Sequence, residues 1–111
     1  MIEKTQEINE LMDAYEGLLT EKQRDIMKLY YQEDFSLSEI AENYDISRSA
    51  VNDAIKRSEH VLYDYEKKLG LVQKFKKRNQ LYQKLRKQVT GSAINLIDQL
   101  ESLDDTGGNY E

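Results

Sequence analysis

Apolar residues recur along this chain at steps of three and four, the spacing that places side chains on one face of an α-helix. Ile8, Leu11, Met12, Tyr15 and Leu18 or Leu19 form one such stripe and predict a first helix from Glu3 to Gly17. Thr20 followed by Gln23 is a capping-box pattern, and it opens a second helix whose Ile26, Leu29 and Tyr30 are expected to face a core, with Met27 and Tyr31 on its margins. Ser36 followed by Glu39 repeats the same start signal, and Leu37, Ile40, Ala41 and Tyr44 then share one face. Ser47 is a further N-cap residue, with Ala50, Val51, Ala54 and Ile55 on the inward side of the next helix. Two helices separated by only a few residues, the first carrying a small Ala41 that permits close crossing, are the pattern of a helix-turn-helix. The turn requires a residue that tolerates positive φ, and Asp45 stands where glycine would be easiest.

The fourth helix does not stop after the motif. Val51, Ile55, Ser58, Leu62, Tyr65 and Leu69 continue at alternating steps of four and three, the a/d rhythm of a coiled-coil seam. Lys67, Lys68 and Gly70 supply the stop, so the helix is expected to span Arg48 to Leu69. Its seam can close either on the chain's own first helix or on a second subunit. A fifth helix follows from Leu71 or Val72 to about Gln88, with Leu71, Val72, Phe75, Leu81, Tyr82, Leu85 and Val89 on one arc. After Thr90 and Gly91, Ser92 caps a short helix carrying Ala93, Leu96, Ile97, Leu100 and Leu103 on one side and Ile94 on its flank. A helix of that length is marginal alone in water and needs something to pack on. The expected organisation is therefore a helix-turn-helix core over residues 1–70, a basic helix plus a short helix over 71–103, and a disordered tail over 104–111.

Composition supports helix nearly throughout: proline is absent and there are five glycines among 111 residues. With no cysteine, disulfides and thiolate metal sites are excluded, and no metal or other cofactor is expected. No apolar run is long enough to span a bilayer, and the first residues lack the basic-then-apolar form of a signal peptide, so a cytoplasmic protein without stable membrane insertion is expected. The net charge of −5 argues against a generic nucleic-acid binder. The charge is segregated, however: Lys74, Lys76, Lys77, Arg78, Lys84, Arg86 and Lys87 lie in residues 71–88 with no acid among them. That block suits a phosphate backbone, an anionic membrane surface or an acidic neighbour, whether elsewhere in the chain or on another subunit.

On the second helix of the motif, Arg48, Ser49, Asn52, Asp53 and Lys56 are expected to face outward, with Arg57 beside them. In a DNA-reading motif the N-terminal turns of this helix enter the major groove, where Arg48 would read guanine and Asn52 adenine by paired hydrogen bonds, and Arg57 would reach a phosphate. Lys22, Arg24 and Lys28 on the preceding helix are candidates for backbone contact. Asp53 opposes such a role; without it the same residues would be a solvated helix face. Catalytic chemistry is hard to find. His60 is the single histidine, there is no glycine-rich phosphate loop, and the carboxylates sit on polar faces. A non-enzymatic protein is expected.

The segments Leu37-Ser38-Glu39-Ile40-Ala41-Glu42 and Ile46-Ser47-Arg48-Ser49-Ala50-Val51, with Leu19-Thr20-Glu21-Lys22-Gln23-Arg24 ahead of them, resemble the helix-turn-helix of sigma-factor region 4. Together with Leu29-Tyr30-Tyr31, Ile55-Lys56-Arg57 and the basic helix, roughly residues 1–88 resemble the small YlxM-type proteins of Gram-positive bacteria. The resemblance implies an all-α fold: a sigma region 4-like helix-turn-helix with a long C-terminal helical extension. It also implies a link to the signal recognition particle pathway, because the family's gene tends to neighbour that of the particle's GTPase. The function expected on these grounds is a DNA-binding regulator. Separately, the helical extension is expected to dimerise or dock, and a homodimer is the expected assembly. The alternative is an accessory protein that binds the particle's RNA or GTPase through the basic helix.

Overall fold

In the computed structural model, which describes residues 2–104, the chain is all-α. Helices α1 (Ile2–Tyr15), α2 (Glu21–Tyr31), α3 (Leu37–Tyr44) and α4 (Arg48–Leu69) belong to one compact unit, and α5 (Leu71–Arg86) and α6 (Ser92–Asp104) to a second that begins at Gly70. Most of the tail expected to be disordered, residues 105–111, lies outside the described residues; Asp104 instead closes α6.

In the first unit, α1 ends at Tyr15 rather than at Gly17, and Glu16–Leu18 form a single 3₁₀ turn. Glycine is a poor helix former, and the next helix starts almost at once. Its Thr20 hydroxyl accepts from the Gln23 N–H at 3.1 Å while the Gln23 side chain accepts from the Thr20 N–H at 3.0 Å. The turn buries Leu19 and leaves Leu18 exposed. The inward face of α2 is rotated from the expected one. Ile26, Met27 and Tyr31 are buried, whereas Leu29 and Tyr30 are only half-buried. The reason is that α2 packs on α4 while also touching α1 and α3, so it buries a wider arc than a single stripe.

The core of this unit is closed by α4. Val51, Ile55, Ser58 and Leu62 are all buried along one line, against α1, α2 and α3 of the same chain. Tyr65 stacks on Tyr15 at 5.9 Å between ring centroids. The seam is thus filled within the chain down to Tyr65, and Leu69 at its end is exposed. Ser58 is the one polar residue in this line, and its hydroxyl donates to the Ala54 carbonyl at 2.8 Å, so its burial leaves no unmet hydrogen bond.

The tight passage between α3 and α4 depends on Asp45. Its φ of 54° and ψ of 48° place it in the left-handed region, and its N–H reaches back to the Ala41 and Glu42 carbonyls. The Ile46 N–H also donates to Ala41 O, at 3.1 Å. Asp45→Gly is expected to raise the unfolding free energy by about 0.5 kcal/mol, and Asp45→Val to lower it by about 1–2 kcal/mol, because a β-branched side chain collides with the backbone at this φ. Urea unfolding of the two variants checks both signs.

In the second unit, α5 and α6 form an antiparallel hairpin, because partners pair in reverse order. Arg78 Nε donates to Asp104 at 2.8 Å, and Arg86 donates to Glu101 at 3.0 Å and to Asp98. The acidic partner of Arg78 and Arg86 within this unit is therefore the short last helix. Ile97 is the one buried apolar side chain of the unit among the described residues. Ala93 and Ile94 flank it at half burial, so Ile94 belongs to the packed face, while Leu96, Leu100 and Leu103 point away.

Candidate nucleic-acid interface

The motif is held by its caps. The Ser36 hydroxyl accepts from the Glu39 N–H at 3.1 Å, and the Glu39 carboxylate accepts from the Ser36 N–H at 2.8 Å. The Ser36 backbone N–H, and after it the Ser36 side chain, favour the charged form and hold the Glu39 carboxyl below its usual range. At the start of α4 the Ser47 hydroxyl accepts from the Ala50 N–H at 3.0 Å, and the Val51 N–H donates to the Ser47 carbonyl at 3.1 Å. With Asp45 fixed ahead of it, the first turn of α4 has one direction of approach to solvent.

That direction is set by burial. Val51 and Ile55 point inward, so at 3.6 residues per turn Ser49, Asp53, Lys56 and Arg57 must point out, with Asn52 on one flank; Arg48, seven residues before Ile55, shares its stripe and is exposed at the start of the helix. Arg48, Ser49, Lys56 and Arg57 are exposed, and Asn52 is half-buried. None of these five makes a side-chain hydrogen bond or ion pair with another described residue. Asp53 is exposed on the same face, as are Glu42 and Asn43 on α3. The local field is therefore mixed: three cations, opposed by nearby acids.

The three cations of α2 considered for backbone contact are less available than their sequence positions imply. Lys28 pairs with Glu16 at 3.7 Å, Lys22 lies 6.0 Å from the centre of the Tyr44 ring, and Arg24 is half-buried. On α5, Arg78 and Arg86 are tied to α6 acids, while Lys74, Lys77, Lys84 and Lys87 are exposed and make no ion pair with another described residue. His60 is exposed and 3.5 Å from Asp64, one turn along the same helix.

Sequence reasoning missed what holds α4 in place behind this face. Three tyrosine hydroxyls donate to glutamates across the helix packing: Tyr15 to Glu66 at 2.6 Å, Tyr31 to Glu59, and Tyr63 to Glu7. Lys4 adds an ion pair to Glu59 at 3.3 Å. Burial and the Glu59 bond push the Tyr31 phenol well above its usual range, and the Glu7 bond with partial burial pushes Tyr63 up to about 12. Both therefore stay protonated, as donors, at neutral pH. The signal was present: Glu59 and Glu66 stand seven apart, on the rim of the seam. Only the packing shows which tyrosine meets which glutamate.

Residues 2–102 match a family described as "Putative helix-turn-helix protein, YlxM / p13 like". The chain belongs to this family, UPF0122. Its relatives match over nearly their whole length. The UPF0122 protein of Halalkalibacterium halodurans is 53% identical over 106 residues, covering 94% of this chain and 97% of the relative. That of Bacillus licheniformis is 52% identical over 105 residues, covering 93% and 98%. The UPF0122 protein YlxM of Bacillus subtilis is 49% identical over 108 residues, again covering 93% and 98%. The family description and the geometry of α3 and α4 agree on a helix-turn-helix. Among the described residues, no helix is long and apolar enough to cross a membrane.

Proposed function

We propose that this UPF0122 chain is a DNA-binding regulator that reads duplex DNA with the first turns of α4 and performs no catalysis. The observation that carries this reading is the exposed start and outward face of α4, where Arg48, Ser49, Asn52 and Lys56 lack partners among the described residues while Val51, Ile55, Ser58 and Leu62 of the same helix are locked into the core. A helix held that rigidly can present side chains to a groove without paying for their ordering at each encounter. Arg48 would take guanine and Asn52 adenine, with Ser49 and Lys56 beside them and Arg57 on a phosphate. Such a protein works in the cytoplasm, where its ligand is.

A second reading rests on α5. Lys74, Lys77, Lys84 and Lys87 offer exposed positive charge with no acid on the same helix. Gene neighbourhood in the YlxM-type family points to the signal recognition particle, whose RNA or GTPase would be the ligand. Lys76 extends this surface, whereas Arg78 and Arg86 have structural partners and contribute less to it.

Fluorescence anisotropy of the full chain against labelled mixed duplex and signal recognition particle RNA, across a salt series, tests both. Duplex binding should weaken steeply with salt, with a slope of about −0.9 per phosphate contacted in a log–log plot. About two or three phosphate contacts are expected, from Lys56, Arg57 and the helix start. Preference for the RNA would move the active surface to α5. No binding to either ligand at low salt would eliminate both nucleic-acid readings and leave the GTPase as the partner to test.

A further inference from the structure

The second unit has an apolar face that its own two helices leave uncovered. On α5, Leu81 and Leu85 are exposed, and on α6, Leu96, Leu100 and Leu103, between 42% and 72% of each residue. Their positions are not scattered. On α5 the side turned to α6 carries Val72, Asn79, Tyr82 and Arg86; on α6 the side turned to α5 carries Ala93, Ile97, Glu101 and Asp104. At about 100° per residue, the leucines of each helix lie about a quarter turn from that packed side, rotated in the same sense. In an antiparallel pair, equal rotation in the same sense brings both stripes to the same face of the hairpin. The lysines Lys76, Lys77, Lys84 and Lys87 fall on the back and the outer edge.

We propose that this face is a homodimerisation surface, on which the α5–α6 hairpin of a second copy of the chain packs to complete a four-helix bundle. Three observations choose that occupant. The first is area. The five exposed leucines present about 500 Å² per copy, at the upper end of what a monomer's largest apolar patch shows. A pair would bury about 1,000 Å² from these residues alone, the threshold for a specific interface before flanking residues are counted. The second is the size of the hairpin. Two helices that bury one apolar side chain between them lack a core, and a segment this short needs another element to complete one. Two hairpins meeting by their leucine faces make the helical bundle that such stripes specify.

The third observation is charge, which also fixes the arrangement. Lys77 borders the leucine face along the outer edge of α5, and Lys74, seven residues before Leu81 and eleven before Leu85, stands within it. The outer edge of α6 carries Asn95, Gln99 and Ser102, which are polar and uncharged. A two-fold axis that sets α5 over α6 of the partner places Lys77 against these polar residues and Lys74 against a helix that carries no basic residue. Setting α5 over α5 would oppose lysine to lysine. An isologous pairing is self-complementary by symmetry, so one face serves both copies.

Sedimentation of the full chain over a concentration range on the order of 1 to 100 μM tests this. The expected species has twice the 13.1 kDa mass of the chain. It should persist in about 1 M salt, because apolar contacts are not screened. Leu81→Lys and Leu100→Lys, at positions already half open to solvent, should each weaken the dimer on the order of 100-fold while keeping the helical circular dichroism. Leu18→Lys, on an exposed leucine of the first unit, should remain dimeric. A wild-type chain that stays monomeric, an assembly larger than two, or lysine variants that dimerise as the wild type does would each overturn the proposal. Should a lysine variant lose its helicity, the wild-type melting temperature decides. A midpoint that rises with protein concentration supports the dimer, and one independent of concentration rejects it.

Discussion

Leu62→Ala is expected to lower the unfolding free energy of the helix-turn-helix unit by about 3 kcal/mol and its Tm by about 15–20 °C. Leu62 is fully buried. It lies on α4 between Glu59 and Glu66, the two glutamates that accept from Tyr31 and Tyr15. Truncating it removes apolar burial and leaves a cavity where the flanking Tyr–Glu bonds resist collapse, so little of the loss is recovered. Three kcal/mol is a large share of the stability of a small domain. Thermal and urea unfolding read the change. Leu18→Ala, at an exposed position, should fall within about 0.5 kcal/mol of the wild type. A loss below about 1 kcal/mol for Leu62→Ala would mean that the seam of α4 does not hold the unit together.

The second large effect concerns binding. Arg48→Glu is expected to reduce affinity for duplex DNA about 100-fold at low salt, since it removes a bidentate base or phosphate contact and adds a repulsive charge. The structure changes which substitutions make a fair comparison. Reversing Arg78 would break its bond to Asp104 and disturb the α5–α6 hairpin, whereas Lys77 and Lys84 have no such partner. The pair Lys77→Glu with Lys84→Glu therefore tests the α5 surface without cutting α5 from α6. Under the α4 reading it leaves duplex binding within a few-fold of the wild type; under the α5 reading it abolishes RNA binding and Arg48→Glu does not. Equal losses from both would indicate general electrostatic attraction rather than a site. Three cations opposed by Asp53 make a weak footprint for one copy. Pairing through α5 and α6 would join two such faces in one assembly, raising apparent affinity through effective concentration without any new contact.

Much of this protein was legible from local signals. The capping pairs Thr20–Gln23 and Ser36–Glu39, the Ser47 cap, the left-handed Asp45 and the Arg48–Leu69 helix follow from residue type and spacing, because each depends on atoms within one or two turns of the backbone. The outward position of Ser49, Lys56 and Arg57 follows too, once Val51 and Ile55 are assigned to the core; Arg48 shares the stripe of Ile55, and the structure shows it exposed at the helix start. What the sequence left open depends on contacts between residues far apart in the chain. A seam reads the same whether the chain itself or a second copy covers it, and only the packing of α1, α2 and α3 on α4 decided the matter. A basic helix attracts any acid, and the reverse-order pairing of Arg78 and Arg86 with Asp104, Glu101 and Asp98 showed that α6 supplies partners for these two arginines. The same packing decided that Met27 and Tyr31, not Leu29 and Tyr30, fill the core, because the buried arc of a helix is set by how many neighbours surround it. It also decided that Leu96, Leu100 and Leu103 face outward: periodicity tells which residues share a side, but only a neighbour in space determines which side is covered.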